Sequence, residues 1–356
     1  MEGLVLGVYI GVDGGGTSTQ VFAFQTDTKH GAIVSAGATR QTSVGWDVAR
    51  GLLVRTAEQA LERIGATRED VVGISACLSG IDLPEQSQKM ATELFASFPK
   101  ASIEVTNDAM APLTAGTNGR AGVVLIGGTG TVAVGESSDG EVARAGGYGY
   151  LIGDEGSGFD IGRKGLMAAI RSYEARGPAT ALWEVVQNKF QLNSPNRLIP
   201  VIYDSENPVA VIASFAEEVV ALAGVDPVAD YIVGRAVNAH VDLVNAVYTQ
   251  LPGVDRRVVL SGGLFRNTGQ LTERLKARMA DTEFVILKHQ AVTGAVIRAM
   301  RVNGTDAEGV WNSVPWHEIE SNAASFYSLT WGLAKGAGSN ETSRESMVFS
   351  RRHISQ

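Results

Sequence analysis

Residues 11–19 read GVDGGGTST, an acid followed at once by three glycines and three hydroxyl residues. Glycines carry no Cβ, so backbone N–H groups at such a turn can close on a bulky anion, and phosphate is the usual guest. A second run of this kind, GGTGT, occupies 127–131. Either run alone is compatible with an ordinary β-hairpin turn, whereas the pair suggests two arms gripping one polyphosphate. Asp13, against the first run, is the residue type that holds Mg2+ directly or through water, or that caps a turn through an Asx hydrogen bond. In TNDA, 106–109, Asp108 follows an apolar segment. It is read either as a helix N-cap or as the general base that orients a substrate hydroxyl and takes its proton in phosphoryl transfer.

Two further stretches carry polar chemistry. In GGYGYLIGDEGSGFDIGRKGL, 146–166, the glycines leave little regular structure expected before Gly162. Tyr148 and Asp154 there supply an aromatic face and a carboxylate able to bridge sugar hydroxyls, while Asp154 or Glu155 is alternatively the cap of a helix starting near Ser157. VVLSGGLF, 258–265, ends a buried strand in Gly262 and Gly263, a flat backbone platform for adenine or ribose, or a plain strand-to-helix turn.

The elements that must position these residues follow from apolar periodicity. Strands are expected at 8–12, 20–25, 32–36, 71–77 and 103–106, with a helix over 47–64 between the third and fourth. The order is an antiparallel meander extended by parallel strands through a crossover. After a polar turn at 118–120 the pattern of strand, glycine turn and strand recurs at 122–126, 132–136 and 141–145, about 115 residues on. Strands at 258–263 and 284–289 follow. Helices are expected over 209–223, over 228–251 behind Asp226-Pro227, and over 291–300. The economical reading is a duplicated α/β unit with a cleft between the copies. The aromatic segment holding Trp311, Trp316, Phe326, Tyr327 and Trp331 is expected to pack, and the last ~20 residues to be weakly ordered.

Composition narrows the function. The chain has 356 residues, 44% of them hydrophobic, and a formal net charge of −8. That balance argues against nucleic acid or an anionic membrane as the main partner and favours small soluble ligands. No apolar run reaches the ~18 residues of a spanning helix, and the N-terminus lacks a basic signal region, so a cytoplasmic location is expected. Cys77 is the single cysteine, which excludes an intrachain disulfide and a cysteine-based zinc site. No lysine precedes Ser or Thr, which excludes a Walker-type loop. Gly128-x-Gly130-x-x-Ala133 runs into a strand rather than a helix, the wrong context for a dinucleotide site.

Taken in order, GVDGGGTST, TNDAMAPL, VVLIGGTGTVAVG, GGYGYLIGDEGSG and VVLSGGLF resemble the N-acetylglucosamine kinase branch of the sugar-kinase, Hsp70 and actin ATPase superfamily, within its BadF/BadG-type ATPase group. The resemblance spans about 8–300. It implies an α/β fold of two ribonuclease-H-like (actin-like ATPase) domains around a central cleft: 1–117, completed by the helix at 291–301, and 118–300, with a Trp-rich tail at 302–356. It implies ATP and Mg2+ as cofactors, a sugar as the other substrate and a homodimer as the assembly. Asp13 resembles the metal-side acid, and Gly14, Gly15, Gly16 and Thr17 the first phosphate contacts. Gly128, Thr129 and Gly130 resemble the second loop, with Thr129 also touching sugar, and Gly262 and Gly263 the adenosine motif. Asp108 resembles the catalytic base. Asp82, Asn107, Gly147, Tyr148 and Asp154 resemble sugar contacts. The implied reaction is phosphorylation of the 6-hydroxyl of N-acetylglucosamine, with glucosamine and N-acetylmuramic acid as rival acceptors and a sugar-responsive ATPase without kinase activity as the rival of another class. Two departures concern selectivity: Arg40 and Gln41 stand where the family commonly has an amide-reading Asn, and Tyr148 replaces a Trp. The dehydratase activators in the same broad grouping need two cysteines per subunit for a shared cluster, which this chain lacks.

Overall fold

The computed structural model describes residues 6–267, 269–287, 289–305 and Ile319. The first half contains β1 (Val8–Gly14), β2 (Ser18–Gln25), β3 (His30–Gly37), α1 (Gln41–Val44), α2 (Trp46–Arg63), β4 (Val71–Leu78), α3 (Pro84–Ser97), β5 (Ser102–Asn107) and α4 (Met110–Thr117). The second contains β6 (Gly122–Gly127), β7 (Thr131–Glu136), β8 (Val142–Gly146), α5 (Gly158–Tyr173), α6 (Leu182–Phe190), α7 (Leu198–Tyr203), α8 (Pro208–Ala213), α9 (Ala216–Leu222), α10 (Pro227–Gln250), β9 (Arg257–Ser261), α11 (Gly263–Asn267), α12 (Gly269–Arg278), β10 (Glu283–Ile286) and α13 (Val292–Val302).

The strands form two five-stranded sheets, β3-β2-β1-β4-β5 and β10-β9-β6-β7-β8. In each, the first three strands of the unit are antiparallel and the later two add in parallel, so the repeated element order in the sequence is a repeated topology. The central strands read as continuous apolar runs because helices cover the sheets: Val8 to Val12 and Val123 to Leu125 are all buried. Parallel pairing also aligns strand ends. Gly14 on β1 pairs with Leu78 on β4, and Leu78 with Asn107 on β5, so the segments after all three strands leave one edge of the first sheet. In the second sheet Gly127 pairs with Thr131, Ile126 with Ser261, and Val132 with Gly146, which gathers the turns after β6, β8 and β9 at one edge.

Helices α4 and α13 lie between the sheets. Their buried residues Met110, Ala111, Leu113 and Ala295 join Cys77 of β4 to Val124, Val134 and Val259 of the second sheet in one apolar cluster. Val292, Val296 and Met300 of α13 pack with Tyr9, Phe22 and Phe24 on the first sheet, and Ile319, from the tail, joins them. The rest of the aromatic and polar tail lies outside the described residues.

Three expectations are corrected. The helix expected over 209–223 is two helices, α8 and α9, broken at Ser214-Phe215. There the Ser214 hydroxyl donates to the Val211 carbonyl, and Phe215 turns wholly into the core beside Phe190. Burying that ring outweighs continuing the helix. Regular structure begins at Gly158 rather than near Gly162, because Ser157 caps α5 by accepting from Asp160 N. Finally, β10 stops at Ile286, short of the strand expected over 284–289. Helix α10 does start behind Asp226, whose carboxylate accepts from Val228 N and Ala229 N, both at 2.9 Å. Among the described residues no single helix is long and apolar enough to cross a membrane.

Candidate active site

Both glycine runs are hairpin turns, the plain reading of such runs, and each lies at the strand ends where its sheet delivers its loops. The first joins β1 to β2 and is closed by Gly15 N donating to Ser18 O at 2.9 Å. The second joins β6 to β7 through Gly128 N donating to Gly130 O at 3.0 Å. In the first, Gly16, Thr17 and Ser18 are exposed, leaving backbone free for a ligand. The second is fastened from behind by the start of α5, where Gly158 N donates to Gly128 O (2.8 Å) and Phe159 N to Thr129 O (3.3 Å). Thr129 itself stays exposed. Gly262, at φ 97°, sits so close to the base of this turn that a Cβ would lie 2.3 Å from the Gly127 carbonyl oxygen. Only glycine meets both demands. Gly263 opens α11, so this third turn is a strand-to-helix connection.

Asp13 and Gly262, one from each lobe, line a single cavity of about 530 Å³, with Ser18, Gln20, Ser261 and Arg266. The Asp13 carboxylate makes no hydrogen bond among the described residues, and a backbone bond closes its turn, so an Asx cap is not its role here. Burial, reinforced by the neighbouring Asp108 charge, pushes its pKa up to about 7. A hard divalent ion held at this carboxylate would favour its ionised form against both effects. Among the described residues no cluster of three or more metal-ligating side chains exists.

Asp108 follows β5, and α4 starts without any side-chain cap. Asn107 takes the local role instead, its Oδ1 accepting from Ala109 N at 3.0 Å. The Asp108 carboxyl is thereby left to a hydrogen bond from the Ser79 hydroxyl. Burial, the largest influence, raises its pKa, Asp82 acts in the same sense, and Ser79 and Arg144 oppose them. A half-buried carboxylate with raised basicity beside a cleft is what a proton acceptor requires.

Arg144 on β8, which sequence reading missed, ties the mouth together. It donates to Asp82 Oδ1 across the lobes at 2.5 Å, and to the carbonyls of Gly147 (2.6 Å) and Gly146 (3.2 Å). Its guanidinium lies 5.9 Å from the ring centroid of Tyr148, which is exposed. Asn107 Nδ2 also donates to Asp82 Oδ1, at 3.1 Å, so Asp82 and Asn107 already have protein partners. Asp154, at φ 62°, is buried behind the second turn, where its Oδ1 accepts from Thr131 N at 3.2 Å. Because Ser157 caps α5, Asp154 is not the helix cap. Ser79 and Arg266 were also missed: neither carries a motif signal, and only the fold brings them to the cleft.

The structure thus gathers Asp13, the 14–17 turn, Asp82, Asn107 and Asp108 at one sheet edge, and the 127–131 turn, Gly147, Tyr148 and Gly262 at the facing edge. Comparison with known proteins gives the family of the chain. The chain is 32% identical over 294 residues to the N-acetyl-D-glucosamine kinase of Dictyostelium discoideum, covering 77% of this chain and 90% of that one. It is 31% identical over 297 residues to the N-acetylmuramic acid/N-acetylglucosamine kinase of Clostridium acetobutylicum, covering 82% and 97%. A candidate N-acetylglucosamine kinase from Chromobacterium violaceum, 24% identical, shares the fold with a TM-score of 0.64 over 82% of this chain and 98% of its own. Residues 10–299 match the family described as BadF/BadG/BcrA/BcrD ATPases, and the chain belongs to that family.

Proposed function

We propose that this protein is an ATP-dependent amino-sugar kinase that transfers the γ-phosphoryl group to the 6-hydroxyl of N-acetylglucosamine. The observation that carries the reading is Asp108 itself, a carboxyl of raised basicity just after β5, at the strand ends that also carry the first glycine turn and near the Asp82–Arg144 pair that reaches the second sheet. The names of the two relatives above 30% identity support the acceptor class. We take residues 1–117 with 291–301 as one functional lobe and the rest of 118–300 as the other, since α13 packs on the first sheet.

In the reaction, Asp108 accepts the proton of the sugar hydroxyl as its oxygen bonds to the γ-phosphorus. The bond from that phosphorus to the ADP oxygen breaks, ADP departs, and the proton passes from Asp108 to water once product leaves. Backbone N–H groups of the two turns other than those of Gly15 and Gly128, which close them, hold the phosphate oxygens in line. Asp13 would hold Mg2+, which when bound offsets charge on the β- and γ-phosphates. Gly262 and Gly263 support the nucleoside, and Tyr148 with the Asp82–Arg144 pair borders the sugar. Asp154 acts mainly by fixing the second turn.

A coupled ADP-release assay with glucose, glucosamine, N-acetylglucosamine and N-acetylmuramic acid tests this. Sugar-dependent release, fastest with N-acetylglucosamine, is expected. Equal slow release with and without every sugar would overturn the kinase reading in favour of an ATPase switch.

A further inference from the structure

Arg298 on α13 joins the two lobes through a buried three-residue ion bridge. Its Nε and Nη2 donate to Glu104 on β5 at 2.9 and 2.6 Å, a bidentate pair. Its Nη1 donates to both carboxylate oxygens of Glu136 on β7, at 3.0 and 2.9 Å. Glu104 belongs to the first sheet and Glu136 to the second. The Ser75 hydroxyl holds Glu104 from β4 at 2.7 Å, and Thr114 on α4 lies 3.4 Å from Nη1. The side chains of Arg298, Glu136 and Glu104 are 9%, 13% and 23% exposed.

The position of this bridge along the strands is informative. Glu104 lies three residues before Asn107, roughly 10 Å back from the cleft edge, and Glu136 five residues beyond Thr131, roughly 17 Å back on its own sheet. At the cleft edge the lobes meet instead through Asp82 and Arg144, whose side chains are 46% and 33% exposed. A half-exposed pair opens at little cost, since water replaces each partner. A buried bridge does not, because separating its members leaves bare charges in the interior. Any relative motion of the lobes therefore opens the mouth first and turns about the back, where the bridge and the apolar cluster around Met110 and Ala295 hold.

We propose that the Glu104–Arg298–Glu136 bridge is the hinge pin of the molecule, a positioning device that fixes the axis on which the lobes close. It brings Asp108 and the two glycine turns into register without touching any ligand. Arginine is required because its planar fork serves two carboxylates at once, which a lysine ammonium cannot do with the same rigidity. The assignment holds whichever acceptor the cleft takes.

The test measures the distance between the lobes. Cys77, the single cysteine, is buried and its thiol is unreactive, so Gln88→Cys on α3 and Asp204→Cys after α7, both exposed, accept spin labels selectively. Dipolar distance distributions are recorded on the full chain, with and without a non-hydrolysable ATP analogue, for the native bridge and for Arg298→Lys. The lysine variant is expected to broaden the distribution even without nucleotide and, where the kinase assay reports turnover, to lower kcat by about 10- to 100-fold through misalignment of the reacting groups. If the lysine variant does not fold, Glu136→Gln, which keeps shape and loses charge, is read in the same way. A distribution as narrow as the native one in the folded variant, with only the melting temperature reduced, would overturn the hinge-pin assignment. Because the width is read without catalysis, failure of the kinase reading leaves this outcome intact.

Discussion

Burial raises the pKa of both Asp13 and Asp108, and a neighbouring carboxylate adds to it in each case, Asp108 for Asp13 and Asp82 for Asp108. For Asp108 the account requires an ionised base, so Asp108→Asn is expected to lower kcat by roughly 10²- to 10⁴-fold while ATP affinity changes little. Near-native turnover of that variant would remove the residue from the chemistry. For Asp13 the sign follows from linkage. Its carboxyl releases its proton at about 7 when folded against an ordinary value of 3.8, so between those values the native state holds the extra proton and stability falls as pH rises. A divalent cation at this carboxylate reverses that loss. Thermal shift with Mg2+ is therefore expected to be larger at pH 8 than at pH 5, and abolished in Asp13→Asn; an equal shift in the variant would place the ion elsewhere. At this scale the sequence showed the acids and the glycines, because those residue types are rare in such runs. It concealed Ser79, Arg144 and Arg266, which sit in unremarkable segments and acquire their roles only through strand pairing.

Helix α10 holds the loop of the second lobe through one buried side chain. His240 is fully buried, and its Nε2 lies 2.9 Å from the Gly156 carbonyl oxygen, next to the Ser157 cap and the Gly158 and Phe159 amides that fasten the second turn. Burial lowers its pKa from 6.5 to about 4, with the Gly156 carbonyl and Asp160 opposing. The neutral ring is the native form. Its contribution to stability is complete above pH 6.5 and is lost as pH falls towards 4. In His240→Gln, whose amide can still donate to Gly156, urea unfolding is expected to show a flatter pH dependence across that window; an unchanged slope would mean that His240 does not titrate with folding. Element types were legible wherever periodicity was uninterrupted, as in the central strands and α10. The break at Phe215 was not, since both halves of 209–223 are apolar and helix-compatible, and what separates them is the pull of one ring into the core. Helices α1, α3, α6, α7 and α12 carried no signal strong enough to be named from sequence. Their apolar stripes are short, and tertiary packing rather than local pattern stabilises them.

At the scale of the whole molecule, duplication gives the proposed nucleotide site its two sides. Each sheet delivers a hairpin turn at its own edge, and α4 and α13, packed between the sheets, set those edges opposite each other. The repeat was visible in sequence as a recurring order of strands and turns, without residue identity, because topology constrains apolar pattern and turn glycines far more than side-chain detail. The inter-lobe contacts were not visible, since Asp82 with Arg144 and Glu104 with Arg298 pair residues far apart in the chain. The most direct test is a crystal structure with a non-hydrolysable ATP analogue and N-acetylglucosamine. The expected result is one triphosphate contacted by backbone amides of both 14–17 and 128–130, with the sugar 6-hydroxyl about 2.6–3.2 Å from the Asp108 carboxylate. A triphosphate held by only one of the two turns, or a sugar hydroxyl directed away from Asp108, would contradict it.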